Sequence, residues 1–278
     1  MRTKMILCAT GVDHGTGDLI AAAELAQRSE AHLSVIVISS VPPPPVGDLV
    51  GQAYSTWSFI WQEENNRLNA RVSDLRKLLG ERGLDGEISA VYCAEANIDD
   101  EVAERARYTD LTLLGSDMLN DASLLKRVLD GALFASPAPV LLARNDTPVD
   151  LAPKTVLVGW NSKLEAAVAL RCAMDMLIQA DSVHVALIDP RAAASAMGEE
   201  PGADVATFLA RHGVNTTVEV LASGGREPAS VLQRHATDIG AQLVVMGAYS
   251  HSRLREHIFG GTTQSMLGNV RTPVLMAR

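Results

Sequence analysis

One motif occurs twice in this sequence and sets most of what the chain can fold into. Pro-Val-Leu-Leu-Ala-Arg occupies residues 139–144, and Pro-Val-Leu-Met-Ala-Arg occupies residues 273–278. A second pair of landmarks has nearly the same offset: Gly115 and Gly247 each close a short apolar run, 132 residues apart. Self-similarity at a fixed interval is the mark of a repeated structural unit, here two copies of about 140 residues. The copies are expected at 1–145 and 154–278, joined by a linker at 146–153 within the turn-rich stretch Asn145–Pro153.

Within each copy, apolar runs of strand length alternate with helix-period segments. In the first, strands are expected at Lys4–Thr10, at Ala31–Ser39, at Ile88–Cys93, at Leu111–Gly115 and at Pro139–Ala143. Helices are expected at Asp18–Ser29, Leu49–Leu79, Asp99–Arg107 and in a segment ending at Phe134. The Val41–Pro45 stretch, with four prolines in a row, can only be an extended connection. Trp57 and Trp61 lie four apart on the long helix, as do Glu63 and Arg67, so each pair shares a face. The Trp pair reads as a packing ridge, or alternatively as a subunit contact. The second copy repeats the plan. Its strands are expected at Thr155–Gly159, Ser182–Ile188, Thr217–Leu221, Leu243–Met246 and Pro273–Ala277, and its helices at Glu165–Ile178, Asp204–His212, Pro228–Thr237 and Thr263–Leu267. Strand, helix, strand with short connections is the βαβ unit of a parallel sheet wound right-handed.

Composition agrees with that class. Aromatics are 4% against 47% hydrophobic residues, so the core is built from Val, Leu, Ile, Ala and Met, as in parallel sheets buried on both faces. Three cysteines without paired spacing argue against a disulfide framework and fit a reducing cytoplasm. The N-terminus turns polar too early for a signal peptide, and no apolar run reaches membrane-spanning length, so no membrane association is expected. Net charge is −9, which speaks against nucleic acid as a partner. The excess lies wholly in residues 1–152, with 13 basic and 22 acidic side chains; residues 153–278 hold 11 of each. An anionic ligand meets less repulsion in the second copy.

The stretch from Gly247 to Thr263, GAYSHSRLREHIFGGTT, is where such a ligand is expected. It runs from the end of a strand, through a loop with Arg253 and Arg255, to a glycine pair and two threonines that open a helix. Strand, glycine-containing loop and helix N-terminus together present free backbone N–H groups to an anion. Glycine at 260 and 261 allows close approach of a phosphate. The chain has no G-x-S-x-G elbow, no Walker loop, no HxxxH pair and no clustered Cys and His, so neither a catalytic residue nor a metal site is expected.

These residues resemble the universal stress protein family. Its nucleotide-binding members carry G-x2-G-x9-G-[ST] after the fourth strand, a frame that falls here on Gly247, Ser250, Gly260 and Gly261. The form GAY-x-HSRLRE followed by GG-x-T is similar to a tandem-domain bacterial subgroup. The resemblance implies an α/β fold with two flavodoxin-like (adenine nucleotide α-hydrolase-like) domains, each a five-stranded parallel sheet of order 3-2-1-4-5 flanked by helices. It also implies intramolecular pairing of the domains through their fifth strands, which the sequence itself makes reasonable: two apolar edges, PVLLA and PVLMA, would otherwise be exposed. The alternative is that an edge pairs with another chain in a homodimer.

The implied site is an adenine nucleotide, ATP for instance, in the second domain only, with magnesium present only alongside it. Gly260, Gly261, Thr262 and Thr263 would receive the phosphates at the helix start, with Arg253 supplying charge and His251 flanking the loop. Gly159, Trp160 and Asn161 would line the adenosine side, Met246 and Gly247 the floor, and Leu187 and Ile188 would lean on the base. The chain departs from the family pattern at three places: Asn161 stands where ATP-binding relatives have Asp, Ser250 replaces a glycine, and Gly261 replaces Ser or Thr. The first domain lacks the glycine pair, and Asp117, Asp121 and Asp130 in its loop oppose a phosphate. The leading expectation is therefore a cytoplasmic regulatory stress-response module with an unidentified protein partner and at most incidental ATP hydrolysis. The alternatives are a nucleotide-free interaction scaffold and a small-molecule enzyme or carrier working in the same crevice.

Overall fold

The computed structural model describes residues 3–45, 50–144, 146–190, 202–248 and 261–278. The chain divides into two compact units, Thr3–Ala138 and Pro139–Arg278.

In the first unit β1 (Met5–Gly11) pairs in parallel with β2 (His32–Val41) on one side and β4 (Leu111–Leu114) on the other, and β2 carries β3 (Glu87–Ala94). The order β3-β2-β1-β4 puts the first strand in the interior, where β1 is buried from its second residue onward. Both faces are covered by helices, which is why these strands read as continuous apolar runs rather than alternations. The helices are α1 (Gly17–Ser29), α2 (Val50–Glu81), α3 (Ile98–Ala106), a short α4 (Ser116–Asn120) and α5 (Ala122–Phe134).

The 32-residue α2 is two helices in character. Its C-terminal half buries Leu68, Val72, Leu75 and Leu79, spaced four, three and four apart along one stripe. Its N-terminal half exposes Tyr54, Phe59 and Ile60, with Phe59 65% accessible. The two tryptophans act locally. Trp57 Nε1 donates to the Pro42 carbonyl at 2.8 Å and so fastens the proline run, while the Trp61 ring lies 5.4 Å from that of Tyr92 on β3. The expected Glu63–Arg67 pair is not among the ion pairs formed. Arg67 turns instead to Glu64, at 3.5 Å, and to Asp13 in the loop after β1.

The second unit contains β5 (Val140–Leu142), β6 (Thr155–Gly159), β7 (Ser182–Ile188), β8 (Thr216–Leu221), β9 (Leu243–Gly247) and β10 (Val274–Ala277). The strands β8-β7-β6-β9-β10 are parallel and repeat the third-second-first-fourth order of the first unit, with the fifth strand added. β5 lies antiparallel to β10, with Leu141 opposite Leu275. The α/β class is the one the sequence pattern implies, and the winding order the one the family resemblance implies.

Helices α6 (Leu164–Cys172), α7 (Met174–Gln179), α8 (Ala203–Arg211), α9 (Pro228–Asp238) and α10 (Gly261–Leu267) complete the unit. One expectation is corrected here. The helix expected at 165–178 is interrupted at Ala173, whose backbone (φ −86°, ψ −1°) departs from ideal helix and ends α6 as it begins α7. No glycine or proline marks the break. Residues 146–153 form neither helix nor strand. Among the described residues no helix is long and apolar enough to cross a membrane.

Candidate functional site

In the second unit the winding reverses between β6 and β9. Register sets Gly159, the last residue of β6, beside Met246 on β9 and beside Ala186 on β7. The carboxyl ends of three strands therefore carry half of the residues expected to line the site. Gly159 and Trp160 are half-buried and Asn161 is exposed. Trp160 N–H donates to the Ala186 carbonyl at 2.9 Å, which carries the chain out of the sheet in a fixed direction. Asn161 is engaged locally: its Oδ1 accepts the Lys163 N–H at 3.1 Å, forming the turn that starts α6. Leu187 and Met246 are core residues, 4% and 5% exposed, and Ile188 is half-buried.

Gly247 is fixed by close packing. A Cβ there would come within 2.5 Å of the Ala166 amide nitrogen and 2.6 Å of the Glu165 carbonyl carbon, so the first turn of α6 lies directly on this backbone. Gly261 is the opposite case. It opens α10, it is exposed, and among the described residues a Cβ would meet only Glu227 Oε2, at 3.7 Å. Thr262 is half-buried and Thr263 buried behind it. Ser250, His251, Arg253 and Gly260 lie outside the described residues.

Elsewhere in this unit the fold builds a cluster that sequence spacing could not show. His184 on β7 and His235 on α9 both reach Glu219 on β8, the first through Nδ1 at 2.7 Å and the second through Nε2. Partial burial pushes the Glu219 carboxyl upward. The hydrogen bonds and positive potential of the two imidazoles outweigh that and hold it below its ordinary value of 4.5. A carboxyl depressed on folding contributes stability that is complete above its unfolded value and lost as pH falls through the folded one. The stability lost by Glu219→Gln should accordingly be present above pH 4.5 and shrink on acidification below it, as read from urea denaturation across that range. A difference that grows on acidification contradicts this. Among the described residues no group of three or more His, Cys, Asp or Glu side chains is arranged to hold a metal ion.

The first unit's crevice is built differently. The chain's own carboxylates occupy its backbone donors. Asp18, 1% exposed at the start of α1, accepts the N–H groups of Asp117 (3.1 Å) and Met118 (3.0 Å) at the beginning of α4. Gly115 gives it room, since any Cβ there would overlap the Asp18 carboxyl group. Asp121 caps α5 through Oδ1, which accepts the Leu124 N–H at 3.0 Å. Its Oδ2 meets His14 Nε2 at 3.2 Å.

His14 is 8% exposed and held on both sides: Gly11 N–H donates to Nδ1 at 2.9 Å, so Nε2 carries the hydrogen offered to Asp121. Arg71 from α2 secures the same loop by donating to the His14 and Gly15 carbonyls at 2.6 and 2.7 Å. Between these elements lies a cavity of about 400 Å³. The sequence had marked Asp121 as hostile to phosphate. It had not marked Asp18, His14 or the cavity, whose lining comes from five separate segments.

Residues 153–278 match the model of the universal stress protein family. A comparison with curated proteins gives no match. Among solved structures, a universal stress protein from Archaeoglobus fulgidus DSM 4304 aligns with a TM-score of 0.59 at 15% identity, covering 98% of this chain and 96% of that one. A protein of unknown function from Pseudomonas aeruginosa PAO1 aligns with a TM-score of 0.55 at 19% identity, covering 99% and 92%. At such identities the likeness is one of fold, and it extends over both halves. Residues 153–278 are thus identified as a universal stress protein domain, and the chain over its whole length shares the fold of these solved structures.

Proposed function

We propose that this protein is a regulatory module of the stress response that holds an adenine nucleotide in its second unit and none in its first. What carries the reading is the contrast between the two helix starts. α10 opens on Gly261 with exposed backbone, and Gly260 precedes it in the sequence. α5 opens behind Asp121, whose carboxylate already takes a backbone N–H. An exposed helix start after the fourth strand, beside the point where sheet order reverses, is where open α/β sheets receive phosphorylated ligands.

In this reading Gly260, Gly261 and Thr262 take phosphate oxygens through their N–H groups and Arg253 offsets the charge. Asn161, Gly159 and Trp160 border the adenosine, and magnesium enters only with the nucleotide. The half-buried rim and core-packed floor residues hold the ligand in place, and its effect is to change the loop between β9 and α10 and hence a surface that a partner reads. Purified protein, denatured and analysed by mass spectrometry, should release an adenine nucleotide, or else bind added ATP. Gly260→Asp, which sets a carboxylate against the phosphates, should abolish both. Protein that carries no nucleotide and gives no binding at millimolar ATP overturns the proposal.

A further inference from the structure

We infer that the N-terminal half of α2 is a self-association surface, on which a second copy of this chain docks with its own α2 running antiparallel. From Ala53 to Glu63 every residue of the helix is exposed except Trp57 and Ser58, which are half-buried. Phe59 is 65% accessible and Ile60 43%, large apolar side chains with no cover. The helix is nonetheless fixed on its inner side. Trp57 Nε1 donates to the Pro42 carbonyl at 2.8 Å, Tyr92 Oη donates to the Trp61 carbonyl at 2.9 Å, and the Trp61 and Tyr92 rings lie 5.4 Å apart. Phe59 and Ile60 fall between these two anchors and are presented outward in a set frame, which lowers the ordering cost of binding.

Charge selects the occupant. Residues 49–62 contain no charged side chain, and residues 49–66 contain no Lys or Arg. A helix that lies on a lipid surface carries basic residues along its polar face, whereas this one offers Glu63 and Glu64. Two copies of the chain, each with a net charge of −9, repel over most approaches, and an uncharged aromatic stretch is where they meet without like-charge contact.

The spacing also sets the direction. Thr56, Phe59, Ile60 and Glu63 follow one another at three, one and three residues and so share a face. A two-fold antiparallel pair sets Phe59 against the partner's Ile60 and Glu63 against the partner's Thr56, so one patch serves both copies. A parallel pair would set Glu63 against its own copy. The contact is one helix half on another, under about 1,200 Å² in total, which is the size of a transient complex. The surface does not depend on the nucleotide reading of the second unit.

Sedimentation velocity on the full chain, from about 1 to about 200 μM, should show monomer giving way to dimer. Phe59→Glu and Ile60→Lys fall at exposed positions, so both variants should fold, and each alone should weaken the dimer more than about tenfold. An equimolar mixture of the two should dimerise again. In the antiparallel mixed dimer the introduced carboxylate faces the introduced ammonium, and one Phe59–Ile60 contact remains intact. A chain that stays monomeric throughout overturns the inference. A dimer untouched by Phe59→Glu overturns it too and assigns the contact to another surface, such as a strand edge, and a mixture that stays monomeric contradicts the antiparallel pairing. Flotation with neutral and with anionic phospholipid vesicles should leave the protein unbound; a monomer that floats with either assigns the helix to a lipid surface and overturns the inference.

Discussion

Gly247→Ala will lower the stability of the second unit by about 3 kcal/mol, the upper part of the range for forcing one extra carbon into a packed interior. The reason is what the new methyl would touch. Its nearest neighbours are the Ala166 amide nitrogen at 2.5 Å and the Glu165 carbonyl carbon at 2.6 Å, both backbone atoms in the first turn of α6. Backbone cannot turn aside as a side chain can, so α6 must shift off β9. Gly159, at the end of the neighbouring strand, is the control. A methyl there meets the Leu232 Cδ1 at 3.0 Å, the far end of a side chain that can re-orient. Gly159→Ala should cost less than about 1 kcal/mol. Urea denaturation of both variants decides the matter, and equal losses at the two positions would contradict the packing account.

Asp18→Ala will destabilise the first unit by about 3 kcal/mol, and Asp18→Asn by about 2 kcal/mol, through hydrogen bonds rather than volume. The buried carboxylate receives the Asp117 and Met118 N–H groups on separate oxygens. Alanine leaves both donors buried without partners. Asparagine keeps the shape and one acceptor but turns its amide hydrogens toward the other donor. A loss under about 0.5 kcal/mol in the alanine variant would mean that water replaces the carboxylate freely, contrary to a side chain only 1% exposed. The same substitution opens the start of α4, so it also tests whether the first unit is held shut by its own anion.

The repeated PVL-x-AR and the paired glycines made the duplication visible, and the apolar runs made the strands visible. β6 and β7 begin and end at the residues expected, Thr155–Gly159 and Ser182–Ile188, because fully buried strands show themselves as uninterrupted β-branched and aliphatic runs. The pause at Ala173 was not legible, since alanine is the best helix former and nothing beside it breaks a helix. Nor was the short α4, whose existence depends on Asp18, 98 residues before the helix begins. The same reason hid the first unit's crevice: His14, Arg67, Glu95 and Asp121 are scattered along the chain and meet only in the fold.

In the second unit, Gly247 was marked in the sequence for nearness to a ligand. In the fold its backbone is covered by the first turn of α6, a demand that any side chain would violate whether or not a nucleotide is near. Ser250 and Gly260 rest on the phosphate frame, and His251 and Arg253 on their places in the sequence between them.

The central claim is that two copies of one fold have diverged at the same point, one with an open helix start and one with a carboxylate set into it. Calorimetric titration of ATP into the full chain measures that directly, through the number of molecules bound. The account predicts one ATP per chain, reduced to none by Gly260→Asp and unchanged by Ser123→Trp, which fills the first unit's cavity. Two ATP per chain, or one that persists in Gly260→Asp and disappears in Ser123→Trp, would contradict it.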